Sequence, residues 1–407
     1  MKLNAGLHLA YCTNVHRGEA WAETFESLKI HTLRVRDRVC PCQPYGIGLR
    51  LSNRAAHELK DRDTLLDFQR WLARHQCYVF TLNGFVFGQV RGRRIKEQAY
   101  DPDWNSPERL EYTNVLFDLL AQLVPPGVEG SVSTLPCSFK GFYLHADELK
   151  NIRNHLWRCV EHVARLSEQT GRTLRLGLEP EPLCVLESSG ETIQFFERMR
   201  AEHPRDPRLA EHLGVNYDTC HFAVEFEEPQ NALQCLLHYG IKISTIHVSS
   251  ALHVRPTPGA REALAALADD GLLHQVVVRG ADGQRSIYPD LRMALAGEPQ
   301  ETEPAIHDPA ELPEWRIHFH IPLHSPPTPP FEGTTDHILG ALDVLSASPE
   351  MCSQLEIETD AWEILPAGSK DQDVADQLAA EYDWTLARLA ERGLAALLQQ
   401  PAQTASV

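Results

Sequence analysis

The sequence predicts an α/β protein folded as a (β/α)8, or TIM, barrel with a large insertion between strands 7 and 8. Three observations predict it. A short strand followed by a longer amphipathic helix recurs along the chain. Eight such strands can be counted, and the last four each end on a carboxylate or an imidazole in matching strand phase.

The strands end near Cys12, Leu51, Asn83, Leu135, Glu179, Asp218, His247 and Glu358. The first two placements compete with a strand at Thr32 to Val35. Between them, Leu149, Ile152, Leu156, Cys159, Val163 and Leu166 recur at three- and four-residue steps, making one apolar stripe, and Gly171 stands where a left-handed C-terminal cap is wanted. Ser188 with Glu191 forms a capping-box pattern, and Pro229 and Gly240 bracket the following helix. Val374, Leu378, Tyr382 and Leu389 mark a last helix before Gly393. Residues 1–395 thus read as a single barrel domain, and 396–407 as a flexible tail.

Strands 7 and 8 are separated by roughly three times the usual spacing of a repeat. An insertion at 254–333 is expected there, with a helix-like run from Glu262 to Leu272, a strand-like Trp315 to Leu323 and a proline-rich turn at His324 to Pro330. Because it leaves the C-terminal end of a strand, it is a candidate lid over the site.

Of the 407 residues 43% are hydrophobic and 23% charged, an ordinary globular balance. The N-terminal residues lack the apolar stretch of a signal peptide and no segment is long enough to span a bilayer, so a cytoplasmic location without membrane insertion is expected. Ten scattered cysteines then read as thiols, and Cys40-Pro41-Cys42 lacks a second pair at zinc-site spacing. A formal charge of −18 argues against nucleic acid as a partner. The one basic cluster, Gln89 to Lys96, reads as a solvated loop. A homo-oligomer is compatible with the sequence, which does not fix the state.

In Leu174 to Glu179 the leucines alternate with Arg175, Gly177 and Glu179, so Glu179 stands inward at the top of its strand. Asp218, His247 and Glu358 close the next three strands in the same phase, although Glu356 shares the inward face and could exchange roles with Glu358. Three carboxylates on one rim would repel each other, and burial would raise their pKa values; a divalent cation removes both penalties. The expected metal ligands are therefore Glu179, Asp218, His247 and Glu358, around one divalent ion of the Mn, Mg, Co or Zn kind.

At these residues the chain resembles the xylose isomerase-like superfamily of sugar phosphate isomerases and epimerases. The carrying segments are Glu-Pro-Glu-Pro at 179 to 182, Asp218-Thr-Cys-His221, Ile-His247-Val and Ile-Glu358. More narrowly, the segments from Leu9 to Glu19, Phe80 to Phe85, Ser133 to Pro136 and Leu355 to Trp362 resemble the EboE-type metabolite traffic proteins. The resemblance implies a small polar metabolite or sugar as partner, and Glu179 and Glu358 as catalytic proton carriers, with His221 on a substrate oxygen. His221 could instead only cap a helix. His16, Glu19 and Asn83 follow early strands and could line the same mouth, while His8 reads as barrel filling. His318 and His320 share one face of the insertion and could descend as substrate contacts or added ligands, or form a plain buried pair. The segment after His247 lacks the acidic residue and close arginine frequent in small epimerases, and these have no such insertion. The expected activity is a metal-dependent isomerase or epimerase; the rival is a protein that holds a metabolite in the same pocket without turning it over.

Overall fold

The architecture comes from a computed structural model that describes residues 1–16, 18–88, 96–142, 144–268, 273–297, 312–359, 361 and 372–396. The basic cluster at 89–95, most of the tail, and Trp362 lie outside the described residues.

Seven strands come first: β1 (His8–Tyr11), β2 (Tyr45–Arg50), β3 (Cys77–Asn83), β4 (Gly130–Thr134), β5 (Leu174–Leu178), β6 (Leu213–Asp218) and β7 (Lys242–Val248). The insertion contributes β8 (Ser250–Val254), β9 (Val276–Arg279), β10 (Arg285–Tyr288), β11 (Glu314–Ile321) and β12 (Glu332–Gly333), and β13 (Gln354–Ile357) returns to the barrel. The barrel strands pair in the order β1-β13-β7-β6-β5-β4-β3-β2, all in parallel. A parallel bridge between Cys12 and Gly48 brings β1 against β2 and closes the ring. The expected (β/α)8 barrel is the observed fold.

The helices form where local chemistry starts and stops them. Helix Ala146–Thr170 buries Ile152, Leu156, Cys159 and Val163 and ends on Gly171 at φ 66°, a conformation that costs a glycine nothing. Ser188 accepts from the Glu191 amide while Glu191 reaches back, the reciprocal box expected there. Helix Pro229–His238 begins on its proline, with Gly240 at φ 65° beyond its end. Thr32 to Val35 is helical rather than extended. Thr32 closes a π turn, Leu28–Thr32, and Leu33–Val39 continues it as an α-helix. Its Thr32 hydroxyl lies 2.7 Å from the Tyr11 hydroxyl and Val35 is buried, so tertiary packing overrides β-branched propensity.

Inside the barrel a polar layer lies below the rim. Ser131 Oγ is 2.9 Å from Thr81 Oγ1, 2.9 Å from Thr245 Oγ1 and 2.6 Å from Gln354 Oε1, so buried polar atoms satisfy one another. The register of β6 on β7 slips between Val215 and Asn216. Ser244 there turns its hydroxyl to the Val215 carbonyl at 2.9 Å, over Gly177, where a Cβ would stand 2.2 Å from that hydroxyl. His8 does fill the barrel: it is buried, with Nδ1 2.7 Å from the Tyr78 hydroxyl and its ring against Phe80.

The insertion is a second, antiparallel sheet in the order β10-β9-β11-β8-β12. It begins at Ser250, directly after β7, four residues ahead of the expected boundary. The helix expected at Glu262 to Leu272 runs Pro258–Leu267, and 269–272 lie outside the described residues. Along β11, Trp315, Ile317, Phe319 and Ile321 are buried in a core separate from that of the barrel, leaving Glu314, Arg316, His318 and His320 on the other face. Among the described residues, no helix is long and apolar enough to cross a membrane.

Candidate metal centre

Each member of the quartet sits where a strand runs out. Glu179 prolongs β5, its amide donating to the Thr134 carbonyl at 3.0 Å, and Glu358 prolongs β13, donating to Val248 at 3.2 Å. Asp218 and His247 lie opposite each other in the β6–β7 pairing. One ligand-capable atom from each of the four lies within 4.8 Å of the others, and all four residues are buried. His247 Nδ1 is the hub, 2.6 Å from Glu358 Oε2, 3.1 Å from Glu179 Oε1 and 3.5 Å from Asp218 Oδ2.

Asp218 divides its two oxygens between tasks. Oδ1 caps helix Thr219–Val224, accepting from the Cys220 amide at 2.7 Å and the His221 amide at 3.2 Å, and from the Ser249 hydroxyl at 2.5 Å. Its Oδ2, like Glu179 Oε2, is buried without a hydrogen-bond partner. Such orphaned carboxylate oxygens are costly. A cation shared by the four residues would satisfy them, and hard oxygen donors with one imidazole suit a divalent ion.

Glu356 stands on the other side of the histidine, its Oε2 3.2 Å from His247 Nε2. Glu358 thus joins the cluster around Nδ1, while Glu356 approaches the far ring nitrogen. Asn14 Nδ2 donates to Glu358 Oε1 at 2.5 Å.

The charges follow from this crowding. Burial, together with the neighbouring Glu358 and Asp218 charges, raises the Glu179 carboxyl to about 7 against the pull of His247. For Glu358, burial works upward but the His247 charge prevails and holds it below its ordinary value. His247 is itself raised well above the usual imidazole range: burial opposes its charge, and Glu358 and Glu179 outweigh burial.

Beside the quartet lies a histidine cluster. His221 Nδ1 is 2.8 Å from the Pro180 carbonyl, and its Nε2 is 3.1 Å from Glu181 Oε2 and 3.3 Å from His320 Nε2. His318 Nε2 is 3.1 Å from His320 Nε2. β11 of the insertion therefore brings His318 and His320 to His221, at the edge of the quartet. Asn83 and His16 are engaged elsewhere. Asn83 Oδ1 accepts from the Phe85 amide at 3.2 Å, while His16 lies 2.8 Å from the Tyr11 hydroxyl and stacks on His31 at 4.6 Å. The Glu19 amide donates to Glu23 at 2.9 Å. Sequence reasoning gave no role to Glu181, Asn14 or Ser249. Strand alternation continued from Glu179 would have flagged Glu181; Asn14 lies in a short 3-10 helix, Thr13–Val15, and Ser249 is the single residue linking β7 to β8, where no periodicity marks direction.

No protein-family model matches the sequence, nor does any curated protein. Among solved structures the chain is similar to the IolI protein with a binding zinc atom, at 12% identity and a TM-score of 0.49, over 95% of this chain and 99% of that one. An L-ribulose 3-epimerase aligns at 13% and 0.48, over 97% and 100%. A xylose isomerase domain protein from Planctomyces limnophilus aligns at 12% and 0.46, over 86% and 89%. At this distance the likenesses say nothing about reaction or ligand in this chain, whose reading rests on its own barrel and quartet.

Proposed function

We propose that the chain is a divalent-metal-dependent isomerase or epimerase for a sugar or sugar-like metabolite, working by proton transfer next to a carbonyl. The observation that carries this reading is the buried quartet, in which Glu179 Oε2, Asp218 Oδ2 and Glu358 Oε2 have no hydrogen-bond partner. A bound cation would polarise the substrate carbonyl and stabilise the enediolate. Glu179 and Glu358 would move the proton. Asn14, bonded to Glu358 Oε1, would fix that carboxylate's orientation. The segments that resemble the EboE-type proteins support a role for this activity in an EboE-type biosynthesis or traffic pathway.

The test is solvent exchange. Protein loaded separately with Mn²⁺, Co²⁺, Zn²⁺ or Mg²⁺ is incubated in D₂O with a panel of aldoses, ketoses and polyol-derived ketones. Deuterium should enter the carbon beside the carbonyl, and Glu179→Gln and Glu358→Gln should each lower the rate at least about 100-fold. A metabolite that binds tightly, emerges undeuterated and stays unconverted with every metal would favour the holding protein and sink the isomerase.

A further inference from the structure

We propose that the histidine cluster is a second divalent-metal site centred on His221, whose ligand-capable atoms lie within 4.8 Å of those of Glu181 and His318 in one triple and of those of His320 and Asp218, shared with the first site, in another. The argument begins with tautomers. A carbonyl oxygen only accepts, so His221 Nδ1, 2.8 Å from the Pro180 carbonyl, carries the hydrogen. The same holds for His320 Nδ1, 3.3 Å from the Glu358 carbonyl. In each neutral ring the lone pair is then on Nε2, and these two nitrogens face each other at 3.3 Å. His318 Nε2 comes within 3.1 Å of His320 Nε2, and Glu181 Oε2 within 3.1 Å of His221 Nε2. Lone pairs so arranged repel unless something positive stands among them.

The spacing fits an ion. Nitrogen and oxygen ligands lie roughly 2.0–2.2 Å from a zinc-like cation, so two of them on one ion stand roughly 3 to 3.5 Å apart. The rings are also held from behind, as metal-bound histidines are. Pro180 and Glu358 anchor two of them through carbonyls, and β11 is pinned by His274, whose Nδ1 lies 2.9 Å from the His318 carbonyl and whose ring stacks on Phe319 at 3.9 Å. Asp218 Oδ2, buried and without a hydrogen-bond partner, is 3.8 Å from His221 Nε2 and 3.5 Å from His247 Nδ1, so it faces both centres. Three imidazoles with one or two carboxylates favour Zn²⁺ or Co²⁺ over Mg²⁺, whereas the oxygen-rich quartet is less selective. The insertion thereby supplies half of a site that the barrel alone cannot complete.

The experiment counts ions on the full-length, tag-free protein, stripped with chelator, dialysed against Zn²⁺ or Co²⁺, desalted and measured by elemental analysis. Wild type should hold two ions per chain and the His318→Ala/His320→Ala variant one. That residual ion should disappear when Glu179→Gln and Glu358→Gln are added, which also shows that the double variant keeps a folded barrel. One ion in wild type overturns the proposal and makes the cluster a protonated histidine network; two ions in both proteins overturn it as well. Should the double variant lose both ions, Glu181→Gln decides: retention of one ion supports the proposal, and any other count overturns it. The count is independent of turnover, so a silent exchange assay leaves it standing.

Discussion

Glu356 stands behind the quartet's histidine rather than within the quartet. Its carboxylate lies 3.2 Å from His247 Nε2, on the side of the ring away from the other three carboxylates. It fits there because Gly48 faces it: a Cβ on Gly48 would stand 1.9 Å from Glu356 Oε1 and 2.9 Å from the Tyr11 carbonyl. A carboxylate behind a ligating imidazole fixes its tautomer and raises its basicity, and losing such a partner typically costs 10–100-fold in metal affinity. Glu356→Gln is therefore expected to weaken Zn²⁺ or Co²⁺ binding at the quartet by roughly 10-fold or more, and Gly48→Ala to do the same by displacing Glu356. Isothermal titration on the metal-stripped proteins checks both. Unchanged affinity in Glu356→Gln would mean that the histidine needs no partner at Nε2.

At the scale of the element, the signals that define a helix act without reference to the site. Gly171 ends its helix at φ 66° with nothing within 4 Å of where a Cβ would stand, so a side chain there meets only backbone strain. Gly171→Ala should cost about 1 kcal/mol in urea unfolding and leave metal binding untouched. A neutral result would show that the helix end relaxes. Caps of this kind, the apolar stripe before Gly171 and the alternation in β5 and β6 are local, which is why they were legible from the residues alone. The helix at Leu28–Val39 was not, because its β-branched Thr32 and Val35 are held by Tyr11 and the core, contacts that lie at a distance along the chain. The slip beside Ser244 was equally invisible: perfect alternation carries β7 to His247 on paper, and the extra residue shows only in the pairing. Asp218 and His247 are paired above the slip.

Among the described residues the two largest hydrophobic cores are that of the barrel and that of the insertion, and stability should reflect both. On the barrel side, His337 is buried with Nε2 3.0 Å from the Tyr217 hydroxyl, and burial lowers its pKa from 6.5 to about 3. The unfolded chain binds this proton first as pH falls, so the contribution is complete above about pH 6.5 and is lost progressively toward pH 3, at up to roughly 1.4 kcal/mol per pH unit. His337→Gln should flatten the acid limb of a denaturation midpoint measured against pH; an unaltered limb would assign acid lability to other groups. On the insertion side, Ile317 is fully buried and pairs with Leu252 on β8 and Val276 on β9, in a core that contains none of the barrel strands. The spacing between strands 7 and 8 announced an insertion, but not that it would fold as a sheet of its own, because its antiparallel pairings are non-local. Ile317→Ala should cost roughly 2–4 kcal/mol, and the loss should stay in the insertion: amide exchange should quicken in β8, β9 and β11 while β4, β5 and β6 keep their protection. His318 and His320 ride on the same strand, so their delivery to His221 depends on this small core rather than on the barrel. Exchange quickening uniformly through all the strands would show instead that the two cores unfold as one, and that the face carrying these histidines is as rigid as the quartet beside it.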